Sequence, residues 1–436
     1  MPTPRHDVAV GVIAGEGMHR MRSPVGDYLT EVLESLTDET GGEVADYIPE
    51  LAAADPDVFA IALTTVDGHT YAVGDADLEF SIQSISKPFA YAAALTDRGC
   101  DVVAATVGVE PSGDAFNELS LEEETGRPRN PMINAGAIAT HGLLVGPDAD
   151  VAARVDRARS FFSELAGREL TVDDAVYRSE LDTADRNLAL AHMLRTYGIV
   201  TDLAHEVVDG YTQQCSVSVT ARDLSVMGAT LANGGVQPVT GREIVDRRTA
   251  RQVMSVMAGC GMYDEAGEWL TDVGIPAKSG VAGGLLGVLP GQCGIAVLSP
   301  RLDAHGNSVR GVATFRRLSD DMNMHLADAA PYGLTALHDI RVEDDATIVE
   351  VQGMIQFAGA ETVLRAMEEA DIDTGTVVFD LGRVNYIGDV GRTMLLEGMR
   401  RVRLDGRRVV LVDPLGVLPD PDVGDGTYPD EVIGAD

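Results

Sequence analysis

Residues 80–89 read FSIQSISKPF, and this stretch decides both the predicted fold and the predicted chemistry. Ser84 and Lys87 are three positions apart, so at the first turn of a helix both side chains lie on one face. Pro88 fits there, because the first N–H groups of a helix need no partner within it. A serine hydroxyl becomes a nucleophile when a neighbouring base takes its proton, and a lysine whose pKa is lowered by burial can be that base. A helix start that carries only capping serines is the structural alternative.

The use of lysine favours the catalytic interpretation. Lysine occurs only at Lys87 and Lys278, and every other basic residue except the histidines is arginine. Guanidinium keeps its charge, so arginine cannot replace an amine that must lose its proton. Residues 278–284 read KSGVAGG, which resembles the K-[ST]-G strand facing the S-x-x-K serine in β-lactamases and penicillin-binding proteins. A glycine-rich turn with an incidental lysine is the alternative here.

Composition limits the class of protein. The chain has 436 residues and a net charge of −36, which predicts two or three domains and disfavours binding to nucleic acid or to anionic membranes. No apolar run approaches the length that crosses a bilayer, and the N-terminus lacks the pattern of a secretory signal. The four cysteines form no C-x-x-C pair and no zinc spacing. We therefore predict a cytoplasmic protein without a metal site, and leave open whether its acidic surface reflects adaptation to high salt.

Hydrophobic periodicity predicts an α+β fold for the larger part of the chain. Strands lie at both ends and a helical lobe lies between them, so the strands are expected to form one antiparallel sheet. The predicted elements are a helix at 28–36, strands at 58–66 and 70–73 around an Asp67-Gly68 turn, helices within 84–260, and strands at 294–298 and 309–315.

A second, smaller α/β domain is predicted at 335–418, after a segment at 318–337 that favours a helix plus linker. Its predicted strands are 347–351, 376–379 and 408–412, and its predicted helices are 360–369 and 390–402. Residues 1–23 are interpreted as a lead segment, and the acidic residues 419–436 as a disordered tail.

Several blocks in the same order closely resemble the serine-type glutaminases of bacteria and mitochondria. The resemblance covers about 24–316, and its blocks are residues 44–51, 83–87, 129–137, 179–180, 186–187, 211–216, 260–264 and 278–284. It implies a β-lactamase-like domain at 24–318, hydrolysis of L-glutamine to L-glutamate and ammonia, no cofactor, and a homo-oligomer, either a dimer or a tetramer.

The resemblance also implies roles for single residues. Ser84 would be the nucleophile that forms a glutamyl ester, Lys87 its general base, Tyr263 a proton relay and Lys278 a further catalytic residue. The backbone N–H groups of Ser84 and Val281 would form the oxyanion hole. The implied substrate-binding residues are Ser84, Asn134, Glu180, Asn187, Tyr211, Tyr263 and Val281.

The second domain is similar to STAS domains. Such domains carry a D-[ST]-[ST]-G signature before a helix, whereas Gly388, Asp389 and Val390 stand at this place and none has a hydroxyl group. This departure argues against phosphorylation and leaves a docking or oligomer-organising role beside a purely structural one.

Two rival functions remain open from the sequence. One is another serine acyl-transfer enzyme of the same fold class, a β-lactamase or penicillin-binding enzyme. The other is a regulator whose first domain only senses glutamine and whose STAS-like domain acts on an unidentified protein partner.

Overall fold

The structure is a computed structural model that describes residues 23–112, 120–328, 335–370, 372–423 and 426–434. The chain divides into two compact units, Met1–Ala327 and Asp328–Asp436. The predicted lead segment lies outside the described residues except for Ser23. No helix among the described residues combines the length and apolar character needed to cross a bilayer.

The first unit contains a five-stranded antiparallel sheet. Its strand order is β2-β1-β7-β6-β5, and a short pair, β3 with β4, lies apart from it. The strands are β1 Ala60–Thr65, β2 Thr70–Gly74, β3 Phe80–Ser81, β4 Ser218–Val219, β5 Ala277–Ser279, β6 Gly284–Leu289 and β7 Cys293–Leu298. The predicted strands around the Asp67-Gly68 turn and at 294–298 are confirmed.

Helices cover both faces of this sheet and form the predicted helical lobe. They are α1 Pro24–Leu36, α2 Pro49–Ala52, α3 Ser86–Thr106 (broken at Gly99), α4 Asn134–Leu143, α5 Val151–Ala166, α6 Asp174–Asp182, α7 Asp185–Thr196, α8 Ala204–Cys215, α9 Ala221–Ala232, α10 Arg247–Cys260, α11 Ala266–Asp272 and α12 Val309–Met322. The sequence thus predicted the α+β class correctly.

Alternation along β1 builds the two halves of the core. Ala60 and Ala62 are buried on the side of α9, whereas Ile61 and Leu63 are buried with α1, α11 and α12. Successive side chains of a strand point to opposite faces. The sheet is therefore the middle layer between two helical layers.

The strand predicted at 309–315 is wrong, because these residues begin α12. Ser308 caps the helix by accepting a hydrogen bond from the backbone N–H of Gly311 at 3.2 Å. The buried positions, which include Thr314 and Leu318, recur with helical spacing. α12 also continues past residue 318, the predicted end of the domain. A window of seven residues could not distinguish the period of a strand from that of a helix, since only the longer segment shows the helical repeat.

Helix α9 lies unusually close to β7, and glycine makes this approach possible. A Cβ atom on Gly294 would stand 2.2 Å from both the backbone nitrogen of Ala229 and the backbone oxygen of Ser225. Neither backbone atom can move without displacing the whole helix. Replacing Gly294 by alanine is expected to lower the free energy of unfolding by about 3 kcal/mol or more, measured by chemical denaturation.

Gly259, inside α10, is the matched control for this substitution. Its Cβ would meet nothing within 4 Å, so alanine there should be neutral or slightly stabilising. Equal unfolding midpoints for Gly294→Ala and Gly259→Ala would contradict the close-packing argument.

The second unit is a five-stranded mixed sheet with two helices. Its strand order is β12-β11-β10-β9-β8, in which β8 pairs antiparallel with β9 and the other pairs are parallel. The elements are β8 Leu337–Glu343, β9 Ala346–Ile355, α13 Phe357–Glu369, β10 Thr376–Ile387, α14 Asp389–Leu404, β11 Arg408–Asp413 and β12 Glu431–Gly434. The small α/β domain is thus present, with two edge strands that the sequence analysis did not predict.

The acidic segment after residue 418 differs from the predicted disordered tail. Strand β12 pairs with β11, and Asp430 accepts a hydrogen bond from the backbone N–H of Val409 at 2.8 Å. Backbone pairing with an open sheet edge orders this part despite its composition, since main-chain hydrogen bonds do not depend on side-chain hydrophobicity.

Candidate active site

Ser84 and Lys87 stand where the chain turns into α3. Ser84 lies in a 3₁₀ turn, Gln83–Ile85, and Lys87 lies in the first turn of the helix. Gln83 has a φ of 49°, a left-handed conformation that a side chain other than glycine adopts only when its surroundings impose it. The helix start predicted from the sequence is present, with Ser84 half-buried in the turn that precedes it.

Lys87 is buried, and its surroundings suit a general base. Its Nζ donates a hydrogen bond to Oδ1 of Asn134 at 2.7 Å. Burial disfavours the charged amine and lowers the pKa of Lys87 to about 7. A substantial fraction of the amine is therefore neutral, and able to accept a proton, near neutral pH.

Both lysines approach the ring of Tyr263. Nζ of Lys278 is 3.9 Å from the centre of its ring and Nζ of Lys87 is 5.6 Å from it. The Tyr263 hydroxyl is hydrogen-bonded to the side chain of Ser84, and burial raises the pKa of Tyr263, so the phenol keeps its proton. The structure thus brings together the four side chains predicted to be catalytic, Ser84, Lys87, Tyr263 and Lys278.

Lys278 is fully buried on β5. Its Nζ donates to the backbone oxygen of Ser279 at 2.7 Å. Burial, and then the charge of Lys87, hold the pKa of Lys278 well below its usual range. The two lysines repel each other in the charged form, which favours a site with fewer than two full charges.

A cavity of about 110 Å³ opens in front of Ser84. It is lined by Tyr47, Gln83, Ser84, Asn134, Glu180, Asn187, Tyr211, Thr212, Cys215 and Val281. Every predicted substrate-binding residue is in this wall except Tyr263, which reaches the cavity through its hydrogen bond to Ser84. Because these residues come from widely separated parts of the chain, the tertiary fold alone assembles them.

Polar groups of different character stand at separate places in this wall. The Glu180 carboxylate accepts hydrogen bonds from the Tyr47 hydroxyl at 2.7 Å and from Nε2 of Gln83 at 3.0 Å. Elsewhere, Nδ2 of Asn134 donates to Oδ1 of Asn187 at 3.1 Å. The wall therefore offers a carboxylate for a cation and amides for hydrogen bonding.

Burial raises the pKa of Glu180, because the carboxylate loses water that its neighbours only partly replace. A cationic ligand would favour the charged form again. This is the arrangement expected of a carboxylate that binds an ammonium group.

Sequence reasoning missed Tyr47 and Gln83 as site residues. Gln83 directly precedes Ser84, the predicted nucleophile, and Tyr47 falls in residues 44–51, one of the blocks that carry the family resemblance. Their contacts with Glu180 were not visible in the sequence, since nothing in a local pattern tells which distant carboxylate a side chain meets.

Comparison with known proteins identifies the family of this chain. The family model described as Glutaminase matches residues 42–326, well over half of the chain. The chain belongs to the glutaminase family. It is accordingly an enzyme, a glutaminase, and the STAS domain model matches residues 338–418.

Relatives match this glutaminase along nearly its whole length. A glutaminase of Corynebacterium efficiens is 53% identical and the match covers 95% of this chain and 98% of that protein. A glutaminase of Corynebacterium glutamicum is 54% identical over 93% of this chain and 98% of that protein. The crystal structure of Mglu in its glutamate form is 51% identical, with a TM-score of 0.86 over 91% of this chain and 100% of that chain.

The STAS domain of this glutaminase has no hydroxyl group at the turn before α14. Gly388 precedes the helix and its backbone N–H donates to the backbone oxygen of Ile355 at 2.9 Å. Asp389 and Val390 follow it as the first residues of α14, which begins one residue before the predicted helix at 390–402.

Proposed function

We propose that the enzyme hydrolyses L-glutamine to L-glutamate and ammonia through a glutamyl ester on Ser84. The observation that carries the proposal is the Ser84 hydroxyl at a small polar cavity, bonded to Tyr263 and close in sequence to a lysine with a pKa of about 7. A serine hydroxyl activated by a nearby neutral amine is the arrangement that serine acyl transfer requires.

In the first half of the reaction, neutral Lys87 accepts the hydroxyl proton of Ser84, directly or through Tyr263. The serine oxygen bonds to the carbon of the substrate's side-chain amide, and its carbonyl oxygen becomes an oxyanion. The C–N bond then breaks as the proton is passed to the nitrogen, which leaves as ammonia. Tyr263 supports this transfer because its protonated hydroxyl contacts Ser84.

In the second half, water attacks the glutamyl ester. Lys87 takes a proton from the water and returns one to the Ser84 oxygen, which leaves L-glutamate and free enzyme. Backbone N–H groups of Ser84 and Val281 are proposed to stabilise the oxyanion in both halves. Such a donor contributes about 3–4 kcal/mol to acyl-transfer transition states.

Recognition of a free amino acid follows from the wall of the cavity. We assign the substrate ammonium group to Glu180, and its carboxylate to Asn187 and Tyr211. Asn134, which already contacts Lys87, is placed to bind the reacting part of the substrate. The carboxylate of Glu180 and the small volume of the cavity favour glutamine over β-lactams. An ammonium group is present in glutamine but is not common to all β-lactams.

The proposal is tested by ammonia release from L-glutamine, followed by acid quenching and mass spectrometry of the peptide that contains Ser84. Release together with a glutamyl adduct on Ser84 is the expected result. Turnover of the β-lactam nitrocefin without glutamine turnover would favour the rival acyl enzyme. Glutamine binding without ammonia release would favour the sensor.

Glu180→Gln tests the assignment of the ammonium site. The substitution keeps the shape of the side chain but removes its charge. KM for L-glutamine is expected to rise roughly 100-fold, with a smaller change in kcat, because the cation loses its buried counter-charge. The matched control is Glu206→Gln on the exposed face of α8, which should leave KM unchanged. An unaltered KM in Glu180→Gln would contradict the assignment of the substrate ammonium group to this residue.

Three further expectations from the sequence stay predictions. They are the cytoplasmic location, the homo-oligomeric state and the absence of nucleic-acid or membrane partners. The role of the STAS domain and its protein partner likewise stay open between docking and structural support.

A further inference from the structure

The turn that carries Tyr263 has a backbone conformation that needs support. Tyr263 opens the 3₁₀ turn Tyr263–Glu265, and its φ is 56°, in the left-handed region that favours glycine. A side chain as large as that of tyrosine stays there only where its surroundings impose the conformation. Tyr263 is also hydrogen-bonded to Ser84, so the contacts that hold the turn decide where the phenol hydroxyl lies.

The loop between β7 and α12 contacts the two residues that follow Tyr263. Nδ2 of Asn307 donates a hydrogen bond to Oε2 of Glu265 at 2.6 Å. The ring nitrogens of His305 face the carboxylates of Asp264 and Glu265 at 3.8 and 3.5 Å. These ion pairs are partly exposed and long, so each stabilises the turn only slightly. The bond from Asn307 is therefore the stronger contact.

The same loop is bonded within itself and gives firm support. The Asp303 carboxylate accepts the backbone N–H groups of His305 and Asn307 at 2.9 and 3.0 Å. The backbone N–H of Asp303 donates to the backbone oxygen of Asn307 at 2.9 Å. Directly after it, the Ser308 hydroxyl donates to the backbone oxygen of Ser299 at 2.8 Å, just beyond β7. Asn307 is thus fixed by bonds that do not involve the turn it contacts.

Stability alone does not explain why an amide stands at this place. Asn307 is 1% exposed, and its Oδ1 is buried without a hydrogen-bond partner among the described residues. An unpaired buried acceptor costs free energy, which an apolar side chain of the same size would avoid. The feature that the amide adds is its bond to Glu265.

We propose that Asn307 is a positioning residue that fixes this turn and thereby holds the Tyr263 hydroxyl at Ser84. Without the bond to Glu265, the turn can relax toward a more favourable φ at Tyr263, and the phenol then moves away from the serine oxygen. Misplacing a reacting group by about 1 Å can slow a reaction by about 10²-fold, so a small relaxation has a measurable effect. The inference rests on the proposed function, in which Tyr263 supports proton transfer at Ser84.

The test is a double-mutant cycle between Asn307→Leu and Tyr263→Phe, with kcat for ammonia release as the readout. Asn307→Leu removes the amide and keeps a similar volume. Alone, it should lower kcat roughly tenfold and change KM by less than about threefold. In the Tyr263→Phe background it should add almost nothing, because the hydroxyl it positions is already gone.

Glu265 supplies a second pair of variants. Glu265→Gln keeps an oxygen that can accept from Asn307, so its kcat should stay near that of the wild type. Glu265→Leu removes the acceptor and should reproduce the loss seen in Asn307→Leu, with no further loss when both substitutions are combined. The Glu265 side chain is 31% exposed, so Glu265→Leu takes the place of Asn307→Leu in the cycle with Tyr263→Phe if Asn307→Leu does not fold.

Asn233→Leu is the control for losing one asparagine hydrogen bond elsewhere in the same domain. Nδ2 of Asn233 donates to the backbone oxygen of Val236 at 2.9 Å, at the end of α9. The substitution should lower the free energy of unfolding but leave kcat unchanged. A purely structural role of Asn307 would give the same result.

The outcomes separate the inference from the function beneath it. The inference is overturned, while the glutaminase activity stands, if Asn307→Leu leaves kcat unchanged or lowers it equally in both backgrounds. The same holds if Glu265→Gln is as slow as Glu265→Leu, or if Tyr263→Phe keeps the wild-type kcat. A wild-type enzyme that releases no ammonia from L-glutamine overturns the proposed function and the inference together.

Discussion

Ser84→Ala is expected to lower kcat for ammonia release by at least about 10⁴-fold. The reason is that the Ser84 side chain lines the cavity and is hydrogen-bonded to Tyr263, and the proposed mechanism forms the glutamyl ester on its oxygen. The substitution removes one oxygen from a half-buried position, so packing is little disturbed. Ammonia release over time, with a coupled glutamate assay, measures the effect.

Binding should survive this substitution. Glu180, Asn187 and Tyr211 remain in the wall, so Kd for L-glutamate is expected to change by less than about tenfold. Ser81→Ala is the control, since Ser81 is buried on β3 and has no proposed part in the reaction. Its hydroxyl accepts a hydrogen bond from the side chain of Gln83. Wild-type rates in Ser84→Ala would discard the acyl-enzyme, and loss of glutamate binding would show that the variant damages the pocket.

Lys87→Met is expected to lower kcat/KM by about 10³-fold, because it removes the proposed general base and leaves an apolar side chain of similar length. In the wild type, burial lowers the pKa of Lys87 to about 7. Only the neutral amine accepts a proton, so kcat/KM should rise with pH through about 7 and then level off. The residual activity of Lys87→Met should lack this inflection.

Lys278→Met is the matched control, because it makes the same change at the other buried lysine of the same site. Lys278 contacts the Ser279 carbonyl and the Tyr263 ring, so its loss should slow the reaction but keep the inflection. If the inflection in kcat/KM with pH disappears in Lys278→Met and persists in Lys87→Met, the proposed general base would be Lys278 and not Lys87.

The S-x-x-K stretch and the near absence of lysine predict Ser84 and Lys87 as a catalytic pair, and their roles stay a prediction. The sequence can suggest such a pair because both residues lie within one turn of chain. The apolar run at 58–66 correctly predicted β1, because the Asp67-Gly68 turn after it is typical of a hairpin between two strands.

Prediction failed where a short pattern fits both a strand and a helix, and where pairing with another strand decides the secondary structure. Residues 309–315 were assigned to a strand, but the buried face of α12 is visible only over its full length to Met322. The strand Glu431–Gly434 lies in a segment of disordered composition and forms because β11 presents an unpaired edge. Neither result follows from local propensity.

The sequence by itself determined the family and the class of fold, and it predicts Ser84 and Lys87 as nucleophile and base, since these inferences depend on residue types at short spacing. Only the tertiary structure decided that Tyr47 and Gln83 donate hydrogen bonds to Glu180 and that two buried lysines approach the ring of Tyr263. The physical reason is that burial and hydrogen-bond direction depend on which distant segments pack together, and the pKa of Lys87 depends on both.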